Sequence, residues 1–139
     1  MPTVQLEGVS LYYEEHGAAG AGGSPPLLLL HGLGSSSQDW ELVTPKLAAQ
    51  HRVILVDVRG HGRSDKPPGE YSVALFARDV AAFCDRLGLS GLHVIGLSMG
   101  GMIAFELVVR RPDLVRSLTL INSGPDMVPR TFQFRAVMA

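Results

Sequence analysis

Ser98 stands in the run Gly96-Leu97-Ser98-Met99-Gly100-Gly101, with one glycine two residues before it and another two residues after. A serine hydroxyl attacks a carbonyl only with three aids: an exposed position, a base that takes its proton, and N–H donors that hold the oxyanion as it forms. Leu92-His93-Val94-Ile95 before the run reads as a strand, and Met102 to Arg110 after it reads as a helix, so the serine falls at a sharp strand-to-helix turn. Such a turn exposes the hydroxyl, and a Cβ at Gly96 or Gly100 would strike the neighbouring chain. The Met99 N–H, at the start of the helix, is unpaired and points outward, which suits it as an oxyanion donor. A second donor is the Leu33 N–H in His31-Gly32-Leu33-Gly34, where Gly32 and Gly34 let the backbone approach a reacting centre closely. The simpler reading of 96–101 is a glycine-rich connection that only packs tightly.

The elements that must position these residues follow from periodicity. Thr3 to Glu7 and Ser10 to Glu15 alternate apolar and polar residues around Gly8, which predicts an antiparallel hairpin at a sheet edge. The glycine-rich stretch from His16 to Ser24 predicts a surface loop. Leu27 to Leu30 is continuously apolar, as a strand buried on both faces should be, and ends at the 31–34 loop. Asp39 is positioned to cap a helix that carries Trp40, Val43 and Leu47 on one face, with Pro45 shortening or kinking it. Arg52 to Asp57 is the next buried strand, and it runs into Arg59-Gly60-His61-Gly62-Arg63-Ser64-Asp65, a loop rich in glycine and charge. A helix from about Ser72 to Leu87 carries Phe76, Val80, Phe83 and Leu87 at helical spacing, with Gly88 as its stop. The helix after Ser98 ends near Arg110 and Arg111, before Pro112, and Val115 to Ile121 is the last strand. Strands alternating with helices predict an α/β fold: a mostly parallel sheet with helices on both faces and an N-terminal hairpin. Sites in such sheets form at the carboxyl ends of strands, so the stretches at 31–34, 57–65 and 96–101 should gather on one rim.

The chain has 139 residues, 46% of them hydrophobic, enough for one domain with a sizeable core. Twelve Lys and Arg against thirteen Asp and Glu give a net charge of −1 without blocks of like charge, which argues against nucleic-acid binding. The longest apolar run is too short to cross a membrane, and Met1 to Gln5 has neither the basic region nor the apolar run of a signal peptide, so a cytoplasmic location is expected. The single cysteine, Cys84, lies on an apolar helical face and reads as a packed thiol in a reducing compartment. Five histidines without paired cysteines or an H-E-x-x-H spacing give no metal site.

The His31 to Gly34 loop, the Asp57 to Asp65 loop and the Gly96 to Gly101 turn, in that order and at these spacings, resemble the N-terminal half of an α/β-hydrolase. The similarity is to the branch with small carboxylesterases, enol-lactonases and carbon–carbon bond hydrolases, and it spans about residues 3–125. It implies the first six strands of that fold in a truncated form: a single incomplete domain over 1–139, with 126–139 as a possible start of the cap. It further implies Ser98 as nucleophile, Leu33 and Met99 as backbone oxyanion donors, and the 57–65 loop as a structural brace. A serine at 98, where related dehalogenases and epoxide hydrolases carry an aspartate, argues against those two activities.

Family members place an acid and then a histidine after the last strand seen here, and this chain has no histidine after His93. His31 belongs to a turn whose side chain is tucked into local bonds in this family, and His61 is a poorer base still. His16, His51 and His93 read as structural or solvated. Asp126 is a candidate acid, set against the simpler role of capping or solvating a loop. Two readings result. The first is a serine hydrolase that acts on a small ester-like substrate without a cofactor and is inactive or weakly active until a missing C-terminal half supplies the base. The second is a noncatalytic module that dimerises with a second copy through its uncovered sheet edge.

Overall fold

Four leucines in a row, Leu27 to Leu30, are all buried because a strand sends alternate side chains to opposite faces and both faces of this one are covered. The computed structural model describes residues 2–17 and 25–124. Its strands are β1 (Thr3–Leu6), β2 (Val9–His16), β3 (Leu27–Leu30), β4 (Val53–Val56), β5 (Leu92–Leu97) and β6 (Val115–Ile121). They form one six-stranded sheet in the order β1-β2-β4-β3-β5-β6. The hairpin pairs β1 with β2 and joins the sheet antiparallel to β4, while β3, β4, β5 and β6 run parallel to one another. The helices are α1 (Thr44–Ala48), α2 (Val73–Arg86) and α3 (Met99–Arg110). This is the expected α/β architecture.

The two faces of the sheet carry separate apolar clusters. Leu28 and Leu30, with Ile54, Val56 and Val94, pack beneath α2 and α3 through Phe76, Val80, Phe83, Ile103 and Leu107. Leu27, Leu29, Val53 and Leu55 face the other way, against Trp40 and Leu47. Each fully buried aliphatic or aromatic side chain contributes about 1.5–3 kcal/mol relative to exposure, so the central strands anchor the fold. On β6, Ser117, Thr119 and Ile121 are exposed, while Leu118 packs onto the core beneath α3.

α2 and α3 begin and end where local chemistry dictates. The Ser72 hydroxyl accepts the Leu75 N–H at the start of α2, and Gly88, at φ +67°, lets the Leu89 N–H turn back to the Cys84 carbonyl at 2.9 Å. The expectation for Asp39 fails. Ser36 caps a single 3-10 turn over Ser37–Trp40, and α1 starts afresh with Pro45 in its first turn. Proline has no N–H to continue a helix from the preceding turn and is tolerated at a helix start, so the chain breaks there and restarts. Trp40 and Leu47 still face the core, but Val43 lies in the break and is 43% exposed. Asp126, residues 126–139 and most of the predicted 16–24 loop lie outside the described residues.

Candidate active site

At the carboxyl end of β5 the backbone must reverse into α3 within one residue, and that residue is Ser98, with φ 53° and ψ −116°. A non-glycine residue in this region is strained and persists only where its surroundings hold it. They do so at both of its peptide groups: the Ser98 N–H donates to the Ile121 carbonyl at 2.9 Å, and its carbonyl accepts from the Gly101 N–H at 2.9 Å, the Met102 N–H at 3.3 Å and the Ser123 hydroxyl at 2.6 Å. The side chain is exposed, and its hydroxyl has no partner among the described residues.

The flanking glycines are required by close approach. A Cβ on Gly96 would overlap the Gly100 carbonyl, and one on Gly100 would overlap the Leu30 carbonyl and come within 2.7 Å of the His31 carbonyl. The elbow therefore sits directly on the end of β3. From there the 31–34 loop reaches the serine: the position a Cβ would take on Gly32 is 3.7 Å from Ser98 Cβ. The Leu33 and Met99 amides have no acceptor among the described residues, so two unpaired N–H groups come from the two segments that meet at Ser98. Asp39, displaced from its expected capping role, fixes the 31–34 loop by accepting the Gly32 N–H at 3.2 Å and the Ser35 hydroxyl at 2.5 Å.

The 57–65 loop sits on the same rim and ties neighbouring segments together. The buried Asp57 carboxylate accepts the Ser37 N–H at 2.7 Å and the Arg63 N–H at 3.0 Å. The Ser64 hydroxyl donates to the Asp57 carbonyl and accepts the Tyr12 N–H, which binds the loop to β2. Arg59 forms a two-point bond with Asp79 on α2, at 2.7 and 3.0 Å. That bond raises the Arg59 guanidinium above its ordinary pKa.

The two histidines nearest the rim point inward. His31 is fully buried, its Nε2 accepting the Val58 N–H at 3.1 Å and its Nδ1 lying 2.8 Å from the Gly32 carbonyl. An acceptor at Nε2 and a carbonyl at Nδ1 require the neutral ring with its proton on Nδ1, and burial lowers its pKa in the same sense. Both nitrogens are thus committed to the backbone. His61 bonds the Arg59 carbonyl through Nδ1, its Nε2 is buried without a partner, and desolvation lowers its pKa. His16 bonds Glu14 and His93 bonds Ser117. No histidine nitrogen bonds the Ser98 hydroxyl among the described residues. Ser123, a polar side chain that touches the elbow, is missed by sequence reasoning. Its signal was Gly101, the glycine beyond the five-residue motif, where a Cβ would overlap the Ser123 side chain.

Comparison with known proteins agrees with this fold. The family model described as the alpha/beta hydrolase fold matches residues 25–138. A protein of Azorhizobium caulinodans named "Putative carbamate hydrolase RutD" is 41% identical over 122 residues, covering 88% of this chain and 44% of that protein. Among solved structures, a hydrolase from Pseudomonas aeruginosa superposes with a TM-score of 0.84 at 33% identity, covering 92% of this chain and 48% of its own. The enol-lactonase from Burkholderia xenovorans superposes with a TM-score of 0.82 at 31% identity, covering 88% and 46%. The chain thus spans about half the length of the relatives it matches. With a family model matched over most of its length, the chain belongs to the α/β-hydrolase family.

Proposed function

We propose that this chain carries the nucleophile half of a serine hydrolase. Ser98 Oγ attacks the carbonyl carbon of a small, mostly uncharged ester-like substrate, and the alkoxide leaves with the proton given up by the serine. Water then hydrolyses the acyl-enzyme. The Leu33 and Met99 N–H groups hold the oxyanion in both steps. The observation that carries this reading is Ser98 itself, exposed and held in a strained conformation against the glycine loop of β3. The names of the two relatives, a carbamate hydrolase and an enol-lactonase, support an acyl-type substrate. Acyl transfer of this kind needs no cofactor.

The base is supplied from outside the described residues, since His16, His31, His61 and His93 are bonded elsewhere and His51 precedes the amino end of β4, opposite the rim that carries Ser98. The isolated chain is therefore inactive or weakly active. In another serine hydrolase, binding and the oxyanion hole alone gave roughly 10³–10⁴ over water. A cytoplasmic location fits the free, buried Cys84, and no helix among the described residues is long and apolar enough to cross a membrane.

The test is hydrolysis of p-nitrophenyl butyrate, together with labelling by a fluorophosphonate, in this chain and in Ser98→Ala. Slow labelling at Ser98 with turnover near background is expected. Equal labelling of Ser98→Ala removes the nucleophile assignment, and robust turnover lost in Ser98→Ala shows that a base lies within this chain.

A second reading is favoured by the surface beside β6. Its outer edge has no partner strand among the described residues, and Phe105, Val109 and Ile121 are exposed nearby at 37%, 68% and 39%. Such an edge and surface ordinarily pair with something, either the remaining half of the protein or a second copy of this chain. Light scattering decides it: a dimer supports self-association, and a monodisperse monomer removes it.

A further inference from the structure

The two positive-φ residues other than glycine among the described residues lie at the ends of adjacent parallel strands, Ser98 after β5 and Asn122 after β6. The second conformation has a consequence for the first. After Ile121 accepts the Ser98 N–H, the left-handed turn at Asn122 brings Ser123 back against α3, where its hydroxyl donates to the Ser98 carbonyl at 2.6 Å. Gly101 leaves the space for it, since any side chain there would overlap Ser123. The bond joins residues 25 apart in sequence and is created by the register of β5 on β6.

That carbonyl is one end of the peptide whose other end is the Met99 N–H. A peptide is planar, so fixing the direction of its C=O fixes the direction of its N–H. A hydrogen bond accepted at the oxygen also polarises the unit and makes the N–H a stronger donor. We infer that Ser123 is a positioning residue for the oxyanion hole, acting through the Ser98–Met99 peptide to aim and strengthen the Met99 N–H. The inference rests on the reading of Ser98 as nucleophile. It assigns a role to a side chain outside the motif and gives Gly101 a functional reason.

Fluorophosphonate phosphonylation separates this role from simple stabilisation, because Ser98 Oγ loses its proton and bonds to phosphorus as fluoride leaves, with charge developing on the phosphoryl oxygen facing the donors. For Ser123→Ala we expect the maximal labelling rate to fall about tenfold, less than loss of a direct donor brings, with the reagent concentration at half-maximal rate unchanged. In ¹⁵N-labelled protein the Met99 amide proton should shift upfield in the same variant. Restoring the hydroxyl as Ser123→Thr should recover both. An unchanged labelling rate overturns the role of Ser123 while leaving Ser98 as nucleophile. So does a loss confined to labelling stoichiometry and melting temperature with the Met99 resonance unmoved. Labelling of Ser98→Ala equal to that of the parent overturns the nucleophile, and Ser123's role with it.

Discussion

The His31 ring is a bridge to Val58: Nε2 accepts the Val58 N–H at 3.1 Å while Nδ1 meets the Gly32 carbonyl at 2.8 Å. It thereby locks the loop after β3 to the loop after β4, and it does so only when neutral. A protonated ring would lose its acceptor and leave the Val58 N–H unpaired in the interior.

Stability should therefore fall in mild acid. Burial lowers the pKa of both His31 and His61 below the ordinary 6.5. Between the folded and unfolded values the unfolded chain binds more protons, so the stability present above pH 6.5 is lost as pH falls through that window. Each unit of depression is worth about 1.4 kcal/mol. Urea denaturation at about pH 7.5 and about pH 5 measures it, and the lower pH stays above the ordinary carboxylate range. Equal midpoints would show that these histidines do not titrate with folding.

Replacing Gly100 by alanine should destabilise the fold by about 2–3 kcal/mol, the upper part of the usual overpacking range in a well-packed site. The methyl would be driven into the Leu30 and His31 carbonyls, which belong to backbone and cannot step aside. Gly8→Ala is the control, since a Cβ at Gly8 meets nothing within 4 Å and its φ of +77° is the only strain. That substitution should cost about 1 kcal/mol. Chemical denaturation of both variants checks the ordering.

The Arg59–Asp79 pair has side chains only 15% and 7% exposed. Removing one partner leaves the other charge in a poorly solvated place, so Asp79→Ala should lose about 3 kcal/mol. The double variant Arg59→Met with Asp79→Leu should recover most of that loss. A double-mutant cycle by urea unfolding measures the coupling, and additive losses would mean that the pair contributes no more than its packing.

Cys84 should be inert in the folded protein. Its thiol is completely buried on the inner face of α2, and desolvation pushes its pKa up to about 12. Iodoacetamide at about pH 8 should modify it only at the rate of unfolding, with fast modification in denaturant. Prompt alkylation of native protein would show that α2 opens locally.

Much of the molecule was legible in the chain because its causes are local. Phe76, Val80 and Phe83 at helical spacing marked the buried face of α2, and Ser72 and Gly88 marked its ends. Val115 to Ile121 was readable as a strand to its last residue. The helix expected after Asp39 was not, because Ser36 and Pro45 together select a 3-10 turn and a restart, a competition that apolar spacing does not register.

By itself the sequence determined the α/β class, the order of its elements and the elbow at Ser98. Periods of two and 3.6, and the glycines a tight turn demands, are properties of neighbouring residues. The tertiary structure alone decided which partners meet across the rim. It turned His31 into a neutral bridge, gathered two loops on the Asp57 carboxylate, and laid Ser123 on the carbonyl of Ser98. Those contacts join residues 20 to 27 apart, or six in the case of Arg63, and most depend on strand register and on where each strand ends. No local pattern encodes that register, because it emerges only when the buried faces of all the strands are satisfied together.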